Sequence, residues 1–154
     1  MSRPNTAGVV APPPLIYLGG LAAGFALDAA LPSPELPGAV AVPLGGALVA
    51  TGVALAGSFA AAFRRAGTPV DPYQTTTSIV TTGPYKLTRN PAYVAMASAY
   101  VGIALLARKP WALATLVPTV ALIDRGVIAR EERYLTRRFG DDYRAYKARV
   151  RRWL

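Results

Sequence analysis

Residues 38–63 contain no charged side chain. At ~1.5 Å per residue, such a run is long enough to cross the ~30 Å hydrocarbon layer of a bilayer as one helix. Arg64 and Arg65 follow it directly, as cations do where a span ends on the cytoplasmic side. Its small residues (Gly45, Gly46, Ala47, Gly52, Ala56, Gly57, Ala60) let a second helix approach closely, and they permit a homodimer. Composition agrees with this reading. The chain has 154 residues, 53% hydrophobic and only 16% charged, which fits a bilayer protein better than a soluble domain.

The other apolar runs fall into place around that span. Residues 1–14 are proline-rich and read as an irregular lead-in. Residues 15–31 are apolar apart from Asp28. A signal peptide with Ala29 and Ala30 near its cleavage point is the alternative, but a lone Arg3 and crowding prolines favour a retained first transmembrane helix. The short, slightly acidic loop 32–37 suits the outside. Residues 66–82 form a polar linker with Pro69, Pro72 and a threonine run, with an extended piece at 78–81. Residues 91–107 and 111–123 are two shorter apolar runs joined by Arg108, Lys109 and Pro110. They read as a hairpin leaning on the earlier helices, with a kink at Pro118. Asp124 and Arg125 then either snorkel to the interface or line a polar cavity.

The expected fold is therefore an all-α integral membrane protein. It has four membrane-embedded helices, the last two a hairpin, followed by C-terminal amphipathic cytoplasmic helices. Residues 1–65 supply the N-terminal transmembrane helices and 66–154 the functional core, within one structural domain. Arg64, Arg65, Lys86, Arg89 and the basic tail share one side, with only Arg108 and Lys109 opposite. That count makes the protein multi-pass with both termini in the cytoplasm.

The net charge is +9, from 17 Lys and Arg against 8 Asp and Glu. Beside apolar spans, a basic tail reads as attraction to anionic head groups of membrane lipids, not to nucleic acid. There is no Cys and no His. Thiolate and imidazole chemistry are excluded, so any catalysis must use carboxylates, Tyr, Arg, Lys, main-chain groups or a cofactor.

Two segments carry chemistry. The first is GPYKLTRNPAY, Gly83 to Tyr93. Gly83-Pro84 is a turn, and Pro91 opens a helix for which Asn90 is a suitable cap. A cation, an amide and two tyrosines thus stand where a membrane segment meets water. The second is REERYLTRRFGDDYRAYKARVRRWL, from Arg130. Glu131 and Leu135 share a helix face. Gly140 is a helix stop, and Asp141 a cap for a new helix. In that helix Tyr143, Tyr146, Val150 and Trp153 form one apolar stripe, as in an interfacial helix with aromatic anchors. The paired acids Glu131 and Glu132 either serve local ion pairs or belong to a site.

Together these segments resemble the isoprenylcysteine carboxyl methyltransferase family, which is grouped with the phosphatidylethanolamine N-methyltransferases of membranes. Gly83, Tyr85, Arg89, Pro91 and Tyr93 match the pattern Gly-x-Tyr-x-x-x-Arg-His-Pro-x-Tyr. Glu131, Glu132, Leu135, Phe139 and Gly140 match the next part, and Tyr143, Tyr146, Arg149 and Val150 the last. The likeness covers the C-terminal half. One departure is Asn90, which stands where the pattern has His and cannot titrate.

The resemblance implies methyl transfer from S-adenosylmethionine to a lipid-like acceptor in a site facing the cytoplasm. Tyr85, Asn90, Pro91, Tyr93, Glu131, Glu132 and Leu135 are then the cofactor-binding candidates. Carboxylates and an amide suit a sulfonium and an amino-acid end. Arg89 and Arg149 are the catalytic candidates, holding an acceptor carboxylate by charge-assisted hydrogen bonds. A carboxylate needs no base at neutral pH, whereas an amine must first lose a proton, so a chain without histidine slightly favours the carboxylate. No metal is implied. The alternatives are an NADPH-dependent membrane reductase of the steroid-reductase type and a non-catalytic lipid-binding membrane protein.

Overall fold

The computed structural model describes residues 8–67 and 77–154. The start of the lead-in and linker residues 68–76 lie outside the described residues. Five α-helices occur among those described: α1 Pro13–Ala30, α2 Gly38–Ala66, α3 Pro91–Leu106, α4 Pro110–Ile123 and α5 Ala129–Arg149. A 3-10 turn at Gly83–Lys86 precedes α3, and a π turn at Asp124–Ile128 carries α4 into α5. No strand occurs among the described residues, and the piece expected to be extended at 78–81 is irregular.

Prolines and glycines set the helix ends. Pro13 starts α1 inside the stretch expected to be irregular, because the first helical turn has no use for a proline's missing N–H. Gly67, with φ 61°, closes α2 in the left-handed conformation, its N–H reaching the carbonyls of Phe63 and Arg64. Pro118 lies inside α4 without ending it.

Three helical stretches are long and apolar enough to cross a membrane: Pro13–Ala30, Gly38–Ala66 and Pro110–Arg149. α3, with 16 residues, is shorter. In the third long stretch the uncharged apolar sequence runs to Ile123, and charged residues become frequent from Arg130 onward. Large aliphatic side chains such as Leu15, Leu18, Val40, Val53 and Val117 point outward, the pattern of helices surrounded by hydrocarbon.

The hairpin packs as two pairs, α3 along α2 and α4 along α1. The α2–α3 contact is made by main chains. A Cβ added at Gly102 would stand 2.7 Å from the Gly45 carbonyl oxygen, and one at Gly52 would stand 2.8 Å from that of Ala95. Gly45 and Gly52 thus do what the small-residue pattern promised, while Gly46 and Gly57 face open space. Ser98 ties the pair by donating to the Leu48 carbonyl at 2.8 Å. At one end of the bundle, Asp28 Oδ2 accepts the Ala112 N–H at the start of α4 at 3.2 Å, and Trp111 Nε1 donates to the Pro32 carbonyl. A half-buried carboxylate there meets the positive end of a helix dipole.

At the other end, α5 bends back at Gly140, whose φ 55° and ψ −123° are not helical. The stop expected there is therefore present as a break between two helical halves. The aromatic stripe needs correction. The helix ends at Arg149 and Val150 is extended, so Trp153 lies beyond the helix and packs against the core cluster. Tyr143 and Tyr146 are buried against the protein and are not anchors in an outer interface.

Candidate active site

The bundle end opposite Asp28 encloses a cavity of about 430 Å³. Phe59, Phe63, Ile79, Val80 and Met96 make an apolar wall. Tyr85, Tyr93, Tyr143 and Tyr146 surround it, and Arg89, Asn90, Glu131 and Glu132 supply the polar end. The two segments singled out in the sequence meet here. Tyr93 on the first turn of α3 donates its hydroxyl to Glu131 Oε1 on α5 at 2.8 Å. Tyr146 donates to the Tyr85 carbonyl at 2.8 Å. Tyr85 also meets Phe63 of α2 with ring centroids 5.7 Å apart.

Glu131 and Glu132 have opposite surroundings. Glu132 is buried and clamped by cations. Arg89 Nη2 donates to its Oε1 at 2.7 Å, Arg152 Nη2 donates to its Oε2 at 2.6 Å, and Lys147 Nζ lies 3.7 Å away. Burial pushes its carboxyl up, but the Arg152 hydrogen bond and the charges of Arg89, Arg152 and Lys147 prevail and hold it below the usual range. Glu131 has only the Tyr93 hydroxyl, and no other donor is bonded to its carboxylate among the described residues. Burial raises its carboxyl, against the pull of Tyr93 and with the adjacent Glu132 charge adding to the rise. Two neighbouring acids driven apart in this way commonly divide roles in a site. Glu131 is the one with spare hydrogen-bonding capacity facing the cavity.

Seven of the nine site candidates line the cavity: Tyr85, Arg89, Asn90, Tyr93, Glu131, Glu132 and Leu135. Pro91 is buried beside it as the first residue of α3. Arg149 is not brought there. It is exposed, and its Nε donates to the Ala145 carbonyl one turn back. Arg89 is already committed, its terminal nitrogens serving Glu132 and the carbonyls of Lys147 and Val150. Its Nε is buried without a hydrogen-bond partner among the described residues.

Asn90 also differs from expectation. It precedes α3, but its side chain makes no cap. Its Nδ2 donates to the Arg152 carbonyl at 2.9 Å, and Thr88 Oγ1 donates to the same oxygen at 2.9 Å. The Arg89 N–H donates to the Arg151 carbonyl at 2.9 Å. The C-terminal segment therefore fastens the motif loop. Arg152 does most of this work, bridging Glu132 to Asp124 at 3.0 Å, while Trp153 Nε1 donates to Asp124 Oδ1 at 3.0 Å. Asp124 is thus paired inside the protein and does not snorkel. Sequence reasoning missed Thr88, Arg152 and Trp153. The only available signal was the acid at position 124, which needed a cationic partner.

Comparison with known proteins gives the same direction. The phospholipid methyltransferase family matches residues 40–142, two thirds of the chain. The chain belongs to the phospholipid methyltransferase family. The match runs from α2 through the motif loop and the hairpin to the bend of α5. An uncharacterized protein of Haemophilus influenzae is 57% identical over 35 residues, 23% of this chain. The chain covers 56% of that relative's length. No solved structure matches.

Proposed function

We propose that the protein transfers a methyl group from S-adenosylmethionine to a lipid-like acceptor that reaches the cavity from the bilayer. The observation that carries this reading is the cavity's two-sided chemistry. A carboxylate with spare acceptor capacity stands at one end and an apolar wall at the other, within the bundle of a phospholipid methyltransferase. The residues fit the cofactor's parts. Glu131 offers anionic oxygen to a cation in a site where water is scarce and such attraction is strong. Tyr85, Tyr93 and Leu135 offer flat and aliphatic surface to a base.

When bound, the cofactor supplies a methyl group activated on a sulfonium. The chain's own residues contribute positioning and exclusion of water. Tyr93 orients Glu131. Glu132, fixed by Arg89 and Arg152, anchors the motif loop to α5. The arginines offer less to a carboxylate acceptor than the sequence suggested, because Arg89 is engaged and Arg149 faces away. An uncharged or amine head group fits this polar end better than an anionic one. For an amine, Glu131 is the one of the two described cavity carboxylates whose raised pKa suits it to take a proton. The positive-inside count supports a cytoplasmic position for the cavity and both termini.

Membranes containing the overproduced protein, given methyl-labelled S-adenosylmethionine, should incorporate label into the lipid extract. Incorporation equal to that of membranes carrying Glu131→Ala would refute the proposal.

A further inference from the structure

A second hollow, about 410 Å³, lies on the other side of Glu132 from the cavity. Its charged lining is Arg133, Arg137, Lys147 and Arg152 against the single carboxylate of Glu132. The bend at Gly140 creates it, by folding the second half of α5 so that Lys147 returns beside Glu132. Arg133 and Arg137, one turn apart, are exposed and make no hydrogen bond or ion pair among the described residues. Glu132 cannot neutralise them, since Arg89 and Arg152 already bond its two oxygens. Thr136 spends its hydroxyl on the Glu132 carbonyl.

Arg152 is spent on Glu132 and Asp124, so the free cations of this concave surface are Arg133 and Arg137 with Lys147 beside them, and they call for an anion with several oxygens. Guanidinium groups meet a phosphate with paired, planar donors, and a phosphate has oxygens enough to satisfy two of them and an ammonium together. The hollow also has a definite level. α5 begins at Ala129, where the apolar sequence of α4 gives way to a run rich in Arg and Glu, the composition of a segment at head-group level.

We propose that this hollow is a phosphate-binding site, taking the phosphate of an anionic phospholipid head group or of a soluble phosphate ester. It is independent of the methyl-transfer reading.

The test uses the full chain purified in neutral detergent. Native mass spectrometry after incubation with equal amounts of phosphatidylglycerol and phosphatidylcholine should show retained phosphatidylglycerol. Retention should fall at least about tenfold in R133A/R137A and persist in R133K/R137K and in R144A/R151A, which removes the same charge elsewhere. A parallel arm measures thermal unfolding with inorganic phosphate against chloride at equal ionic strength. Stabilisation by phosphate in wild type but not in R133A/R137A identifies a soluble source. Selective lipid retention without that stabilisation identifies the lipid. Equal retention by R133A/R137A and wild type, or an equal loss in R144A/R151A, would overturn the proposal, as would an absence of both effects.

Discussion

The hydroxyl of Tyr93 donates to Glu131 across 38 residues of sequence at 2.8 Å, joining α3 to α5 at the mouth of the cavity. Among the described residues no other donor reaches Glu131, and burial outweighs the Tyr93 bond to keep its carboxyl above the usual range. Its contribution to the stability of the ligand-free protein is complete below the unfolded carboxyl pKa of about 4.3 and is lost as pH rises through the folded value. Glu131→Gln should remove that part of the pH profile of thermal unfolding. A cation bound in the cavity favours the ionised carboxylate. Binding of S-adenosylmethionine should therefore strengthen as pH rises through the same window in wild type, and remain level in Glu131→Gln. A pH-independent affinity in wild type would count against Glu131 as the partner.

Arg152 joins Glu132 on α5 to Asp124 on the π turn, and its carbonyl holds Asn90 and Thr88. Arg152→Ala removes charge-assisted bonds from a partly buried site, at a cost of about 1.5–3 kcal/mol. Its unfolding midpoint in detergent should fall by several degrees, with Arg152→Lys in between. An unchanged midpoint would show that the C-terminal segment does not fasten the motif loop.

At position 90 the essential property is a donor to the Arg152 carbonyl, not a titrating group. Asn90→His keeps a ring N–H and should retain stability. Asn90→Asp sets a carboxylate against a carbonyl oxygen and should lose about 1–3 kcal/mol. Comparing the two by differential scanning fluorimetry checks this, and equal midpoints would contradict it.

Gly102 meets the Gly45 main chain with no room for a side chain. Gly102→Val should separate α2 from α3 and destabilise by about 1–3 kcal/mol or more, as overpacking does. Gly46→Val, which points into open space, should have little effect on the same unfolding measurement.

The helices were legible because apolar runs bounded by Pro and Gly declare their own ends: the span read at 38–63 is Gly38–Ala66, and that read at 91–107 is Pro91–Leu106. The meeting of the motif loop with Glu131 was legible through the resemblance. The remainder depends on geometry that sequence spacing does not encode. The φ of Gly140 resets the phase of α5, which turns Arg149 outward and Tyr143 inward. Residues 150–154 look like further helix but turn back on the loop, so Arg152 gave no sign of its role. Asn90 looked like a cap because it precedes Pro91, yet a carbonyl 62 residues on competes for its amide.

The most direct test is isothermal titration calorimetry of the full chain in detergent with S-adenosylhomocysteine, the demethylated cofactor. The cavity chemistry described here leads to binding at about micromolar strength, near −8 kcal/mol, weakened at least tenfold by Glu131→Ala. No heat of binding to a monodisperse, folded preparation, or equal binding by Glu131→Ala, would contradict the account.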